Sequence, residues 1–537
     1  MTKKRLITEL KVKFGYKKED ILEAIRKKYG IFADEIESYD IVRESLDARK
    51  KPDVFIKLNL AIACKQNALK KLDKLAEIDV DYSGIECEKI NDYTGESPVI
   101  VGFGPAGMFA GLYLAKKGLK PIIIEQGKSV YERQKDVDEF WKNGKLDENS
   151  NVQFGEGGAG TFSDGKLASN VSNSYTKKVI NEFVLHGAPK DIFYSFAPHI
   201  GSDNLKEVVT NIRKSIESLG GQVLFNTKLV DFEAKNGKIS SVMVQNVQLK
   251  EKTKIKTSAV ILAVGHSAYD IYKMLDKKGV SMVQKPFAIG VRIEQSQKTI
   301  NLAQYGSQNN SFPAANYKLA VHLDSGRSVF TFCNCPGGFV VASSSDFGTV
   351  VTNGMSYHAR DGKNANSALL VNVLPEDYDR GNVLDGVEFQ RKYEKLAFEI
   401  AGANYNAPIE KVKDFLSNKK VNFDENMIEV VSTYKPGVKF VDLSRCLPNF
   451  ATESLREALP IMNNKIKGFA DGENLLVGVE TRSSAPVQIS RDENLMNTVV
   501  GLFSAGEGAG FAGGITSSAA DGIKIAEKVA EFLIKNQ

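Results

Sequence analysis

The chain has 537 residues, 42% hydrophobic and 26% charged, which excludes a disordered or fibrous protein and predicts about three globular domains. Its longest apolar stretch, Val99–Ala115, is broken by four glycines and a proline, and the opening MTKKRLITELKVKF lacks a signal-peptide core, so a cytoplasmic protein with no membrane partner is expected. Five scattered cysteines do not make a disulfide framework, and a net charge of +5 is too small by itself to imply a nucleic-acid partner.

Residues 1–92 alternate strand-like and helix-like segments and hold 19 Lys and Arg against 12 Asp and Glu in the first 75 positions. RLITELKVKF alternates apolar and polar positions, whereas Ile21, Leu22, Ile25 and Tyr29 fall at helical spacing, and a Lys-rich helix is expected from about Lys65. The pattern predicts a small α+β module of ferredoxin-like type. Its basic balance permits docking to RNA or to a protein partner, but no aromatic RNA-binding pattern accompanies it, so nucleic acid is not the expected partner. NDYTGES, residues 91–97, reads as a linker.

From Pro98 the pattern becomes that of a nucleotide-binding α/β domain. An apolar strand to Val101 runs into Gly102-Phe103-Gly104-Pro105-Ala106-Gly107 and a helix. Gly102 allows the tight turn, Gly104 admits a pyrophosphate to the backbone, and Gly107 lets helix and strand pack closely, with Pro105 and Ala106 at the helix start. The next strand ends on Glu125, 23 residues beyond Gly102, followed by Gln126. A carboxylate there binds both ribose hydroxyls and repels a 2′-phosphate. FAD and NAD share this fingerprint, so the motif leaves the choice between them open.

NVQFGEGGAGTFSDGKL follows, with Gly157, Gly158, Ser163 and Asp164 as candidates to wrap a cofactor. Gly160–Lys166 spells GxxxxGK, but Leu167 replaces the Ser or Thr of a phosphate-binding loop and no apolar strand precedes it, so this is a decoy. A helix, a strand and a hairpin turned at Asn236-Gly237 come next, and then the buried strand SAVILAVGHSA. Residues 286–469 carry short β-like runs with one helix near 386–401 and no nucleotide motif, and they read as an inserted cap or substrate domain. The chain returns through Gly506 and Glu507 to Gly513-Gly514-Ile515 and a closing helix. An acidic side chain at 507 can bind ribityl hydroxyls, and the helix start can place positive potential near a reduced flavin; NAD enzymes need neither. The expected flavin-binding part is thus 97–285 with 470–537.

GFGPAG, Glu125, FGEGGAGTFSDGKL, AVGHSA, FCNCPGG, VTNGMSYHARDGKNANSA and SAGEGAGFAGG together resemble the bacterial FAD-dependent proteins known as NAD(FAD)-utilising dehydrogenases, within the glutathione-reductase-like class. The resemblance covers essentially the whole chain. It implies bound FAD in a two-part domain with an inserted cap, and supplies no substrate. By the same analogy Leu229 lies against adenine, and Ala263 and Gly265 belong to the turn that closes over FAD. Arg133 either neutralises a phosphate or is a solvated helix residue.

Catalysis is less constrained. Cys333 and Cys335 either form a strained, flavin-reducible disulfide or are inert packing thiols. Arg292 and Glu294 point the same way on a strand, and either bind a polar substrate or pair with one another on a solvated face; Arg360 is a further cap candidate. The five histidines form no metal-spaced pair, so no metal is expected. The resulting expectation is an FAD-dependent oxidoreductase acting on a small molecule, with NAD(P)H as a transient donor. A flavin-binding protein without turnover, or one docked on a partner through the basic module, is the alternative.

Overall fold

The computed structural model describes residues 4–168, 173–307, 312–417 and 430–536. At the amino terminus β1 (Lys4–Lys13), α1 (Lys18–Tyr29), β2 (Ile36–Lys50), β3 (Asp53–Cys64), α2 (Gln66–Leu69) and β4 (Glu77–Ile78) form a sheet of order β2-β3-β1-β4. All its pairs are antiparallel. Alternation in β1 sends Ile7, Leu10 and Val12 inward to meet Ile21 and Ile25 of α1. The helix expected from Lys65 is one short α-helical turn, Gln66–Leu69, continued by a single 3-10 turn, Lys70–Leu72.

The next unit is a parallel sheet built from segments far apart in sequence. β5 (Val99–Val101), α3 (Pro105–Lys116), β6 (Ile122–Ile124), α4 (Val130–Asn143), α5 (Ser174–Leu185), α6 (Ser202–Ser218) and β7 (Gln222–Leu224) come first. An antiparallel meander of β8 (Thr227–Lys235), β9 (Lys238–Asn246) and β10 (Lys252–Lys256) precedes β11 (Val260–Leu262), α7 (Tyr269–Lys277) and β12 (Met282–Gln284). The parallel sheet has the order β23-β11-β5-β6-β7, where β23 is Leu502–Ser504 and leads into the closing helix α12 (Ile515–Lys535). Two-residue alternation divides its faces. Ile100, Ile123, Ile261 and Phe503 pack on α3, α6 and α12, while Val101, Ile124, Leu262 and Leu502 pack on the meander and α7. The hairpin turn falls at Asn236-Gly237, both with positive φ, as expected.

The cap comprises β13 (Phe287–Ser296), α8 (Gln297–Tyr305), β14 (Ala320–His322), β15 (Ser328–Cys335), β16 (Phe339–Ala342), β17 (Thr352–Met355), β18 (Asn364–Val373), α9 (Asp385–Ile400), β19 (Ala407–Lys411), α10 (Val412–Ser417), β20 (Val438–Phe440), α11 (Asn449–Lys465) and β21 (Leu475–Glu480). Its seven-stranded sheet runs β14-β15-β18-β13-β21-β19-β20. β21 therefore corrects the expected boundary at 469. LLVGVE looks like a buried strand of the parallel sheet, but it pairs with β13 and β19, and the cap extends to Glu480. The 17-residue α11 was also not expected; Pro460 and scattered polar residues hide its buried stripe of Ala451, Leu455, Ala458, Leu459 and Met462. β22 (Val487–Ile489) then pairs with β12, so both crossings between cap and sheet are zipped together. Among the described residues no helix is long and apolar enough to cross a membrane.

The amino-terminal module touches both larger units. The Glu44 N–H donates to the Tyr194 carbonyl at 2.7 Å on the sheet side. On the cap side Lys51 Nζ donates to the Ala303 carbonyl at 2.5 Å, and the Phe14 and Phe312 rings meet edge-on at 5.5 Å.

Candidate functional site

One cleft opens at the carboxyl ends of β5, β6, β11 and β23, where the strand order reverses about β5. Ligands bind α/β sheets at such a switch point. Gly102 has φ +98°, and a Cβ there would lie 2.4 Å from the Ala263 carbonyl oxygen. A Cβ on Gly107 would lie 2.0 Å from the Gly102 carbonyl oxygen, so these two glycines are required by packing. Gly104 differs: its Cβ would meet only the Gly158 Cα, at 3.7 Å. It caps α3 without a side-chain hydrogen bond, with Pro105 at the first helical position, and leaves the helix amino terminus facing the cleft.

Glu125 is buried at the end of β6. Its carboxylate accepts from the N–H groups of Phe103 at 2.8 Å, Gly127 at 2.9 Å and Gly155 at 2.9 Å. It therefore ties the glycine turn to the 155–165 loop as well as lining the cleft. Gln126 and Leu229 line an adjoining recess with Thr227, Ala268 and Ile271, and Ala263 and Gly265 form the cleft wall after β11. Glu507 faces the cleft after β23 with His266 Nδ1 3.2 Å from its carboxylate, and Gly513, Gly514 and Ile515 open α12 there. Gly506 lies behind: its Cβ would press on Ala106, and its N–H donates to Asp521 at 2.8 Å.

The loop itself divides. Gly158, Ser163 and Asp164 line the cleft, as does Ala106 of α3, but Gly157 does not; its Cβ would strike the Thr161 hydroxyl. Arg133 is neither solvated nor in the cleft. It is wholly buried and donates to the carbonyls of Asn151 at 2.7 Å, Glu156 at 2.7 Å and Val152 at 2.8 Å. Burial pulls its pKa down to about 10. Each of its three nitrogens donates to a loop carbonyl, and the side chain lies outside the cleft lining where a phosphate would sit.

The cap closes the other side with Phe332, Cys333, Asn353, Glu480, Arg482 and Ser483. Arg292 corrects the expected surface ion pair. It is fully buried and donates from Nη1 to the Glu480 carboxylate at 2.9 and 3.0 Å, from Nε to Asn366 Oδ1 at 2.9 Å and from Nη2 to the Cys333 carbonyl at 2.7 Å. Burial still pushes the Glu480 carboxyl up to about 7, against the pull of Arg292. Glu294 is buried elsewhere and accepts from Asn364 and Thr433. Arg360 stands outside the cleft lining, with Nε 3.0 Å from Asp164 Oδ1. Burial opposes charge on Asp164, but Lys166 and Arg360 outweigh it and hold the carboxyl below its usual range.

Residues 286–483 match a family model described as FAD-dependent protein, C-terminal domain-like, and residues 3–63 match a domain of unknown function. An uncharacterised protein of Clostridium beijerinckii is 46% identical over 515 residues, covering 94% of this chain and 95% of that one. The chain belongs to this family of FAD-dependent proteins. Its cofactor is FAD. Among solved structures, the Bacillus halodurans glycerol-3-phosphate dehydrogenase complexed with FAD is 11% identical with a TM-score of 0.36. The match covers 82% of this chain and 65% of that enzyme, just under two thirds of its length. A flavoprotein/dehydrogenase of Cytophaga hutchinsonii is also 11% identical, with a TM-score of 0.36 and coverage of 82% and 79%.

The residues of this FAD-dependent protein fit such a group. Gly104, Gly513 and Gly514 leave open space where a side chain would intrude, and two buried polar atoms of cleft residues, Lys166 Nζ and His266 Nε2, lack a hydrogen-bond partner. Sequence reasoning overlooked both residues. Lys166 sat inside the decoy GxxxxGK and His266 inside a strand turn, and neither spacing announces a ligand. Glu480 and Arg482 were missed because residues 470–537 were read as flavin-binding part rather than as cap.

Proposed function

We propose that the protein is an FAD-dependent oxidoreductase that transfers a hydride between bound FAD and a small substrate beneath the cap. The observation that carries this reading is that strand ends of the parallel sheet and side chains of the cap line a single cleft. FAD supplies a two-electron acceptor. Gly104 and the amino terminus of α3 receive the pyrophosphate, Glu125 the adenosine ribose, and Leu229 with Gln126 the adenine side. Glu507 and Gly513-Gly514-Ile515 hold the ribityl and flavin end. Asp164 and Ser163 fix the loop across it, and Arg482 is anchored by Glu394, at 2.8 and 2.9 Å, at the cap edge of the cleft. The parallel sheet with its antiparallel meander favours the glutathione-reductase-like class, and the βαββαβ order of the amino-terminal module favours a ferredoxin-like fold. The two other GxGxxG spellings, at 155–160 and 508–513, do not open a strand-helix-strand unit ending on an acidic residue, so NADH or NADPH would act by transient stacking on the flavin.

Purified protein is expected to be yellow and to release FAD on denaturation, and anaerobic mixing with NADH, NADPH or a metabolite panel to bleach it. Colourless protein that cannot be reconstituted with FAD overturns the proposal; a flavin that no reductant bleaches reduces it to a binding protein.

A further inference from the structure

Hydride transfer leaves two sulfur atoms and one cation of the cleft without a task. β15 follows β18 as far as Phe332 opposite Ala368, and the ladder resumes at Cys335 opposite Asn366. Three steps on one strand therefore face two on the other, a bulge in which Cys333 takes φ +45°. Bulges re-aim side chains, often beside active sites. Here Cys333 lines the cleft and Cys335 lies fully buried behind it, and both are free thiols.

The surroundings of the pair are polar and cationic. Cys335 Sγ is 3.3 Å from the Cys333 carbonyl, and Arg292 Nη2 donates to that carbonyl at 2.7 Å while standing 3.8 Å from Cys335 Sγ. The buried Lys166 Nζ has no hydrogen-bond partner and lies 3.6 Å from Asp164. A hydrogen bond from Cys335 lowers the Cys333 thiol; burial and Asp164 oppose this, and Lys166 and Arg292 reinforce it. Cys335 is correspondingly raised. Cys446 shows the contrast. Unlike Cys333 it lies wholly within the apolar cap core, and there burial pushes the thiol strongly up, as for an inert packing residue.

We propose that Cys333 and Cys335 are a redox dithiol that exchanges one electron pair with bound FAD across the cleft. This rests on the flavin reading above. In the oxidising direction one S–S bond forms between a Cys333 thiolate and the Cys335 sulfur, the pair loses two electrons, and FAD gains them. The proton released by Cys335 balances the proton taken up on flavin reduction. Reversal breaks the S–S bond, with Cys333 returning as the thiolate beside Lys166. Lys166 is a positioning residue that holds that charge.

The test is an anaerobic dithionite titration of the air-oxidised holoprotein, with alkylation and mass spectrometry counting thiols before and after. Wild type is expected to consume twice the dithionite that its flavin requires, and to expose Cys333 and Cys335 only after reduction. Cys333→Ser and Cys335→Ser should each consume the flavin share alone, whereas Cys87→Ser should match wild type. The wild-type titration decides the matter even where a serine variant does not fold. Yellow protein that bleaches at the flavin share with all five cysteines free throughout overturns the dithiol and leaves the flavin reading standing. Colourless protein that cannot be reconstituted overturns both.

Discussion

Gly104 and Gly107 stand three residues apart in one turn and tolerate a methyl group very differently. At Gly107 the new Cβ would lie 2.0 Å from a carbonyl oxygen, so α3 must move off β5; overpacking of this kind costs about 1–3 kcal/mol. At Gly104 the Cβ has space in the folded protein, and that space is where the pyrophosphate is expected. Gly104→Ala should therefore melt close to wild type yet hold FAD at least about tenfold more weakly, a loss of ~1.4 kcal/mol, while Gly107→Ala loses stability first. Thermal melts paired with flavin titration distinguish the two, and equal melting losses would contradict the assignment. These glycines were legible in the sequence because their roles follow from local backbone geometry. Arg133 and Arg292 were not. The partners of Arg133 are three carbonyls of an irregular loop, and Glu480 lies 188 residues beyond Arg292. A side chain whose destination is set by tertiary packing leaves no spacing to read.

β19 carries a buried acid with one backbone donor. Glu410 Oε2 accepts from the Leu443 N–H at 3.0 Å, and burial pushes its carboxyl from 4.5 up to about 7. The folded protein thus holds this proton more tightly than the unfolded chain. The corresponding stability is full below pH 4.5 and is lost as pH rises through about 7. Glu410→Gln removes that dependence, so its melting temperature relative to wild type should rise steadily from about pH 5 to about pH 8. A gap that stays constant across this range would refute the assignment. Elements were legible where periodicity was clean, as in α1, α9 and the hairpin at Asn236-Gly237. The sheet that β21 joins was not legible, since an apolar run of six looks alike in any fully buried sheet. α11 was missed because a proline and polar positions obscured its period.

Across the whole molecule, the amino-terminal module clasps the parallel sheet through Tyr194 and the cap through Ala303 and Phe312. Phe14→Ala combined with Lys51→Ala releases the cap side alone. Hydrogen exchange over α8 should then quicken by about tenfold, the effect of ~1.4 kcal/mol of lost local stability, with flavin absorbance unchanged. Exchange that stays at the wild-type rate would show that the clasp carries no load. The clasp is made of contacts between distant segments, so no spacing in the sequence announces it. The cap also departs from the sheet in a particular way: its opening strand and its final strand are neighbours, with Gly290 opposite Glu480, and the flanking β12 and β22 are paired just outside them. A unit whose two ends lie side by side occupies, from the host's viewpoint, the place of a single surface turn. The parallel sheet need not be rebuilt to accept it, so the insert can change in length or sequence without disturbing the sheet that carries it.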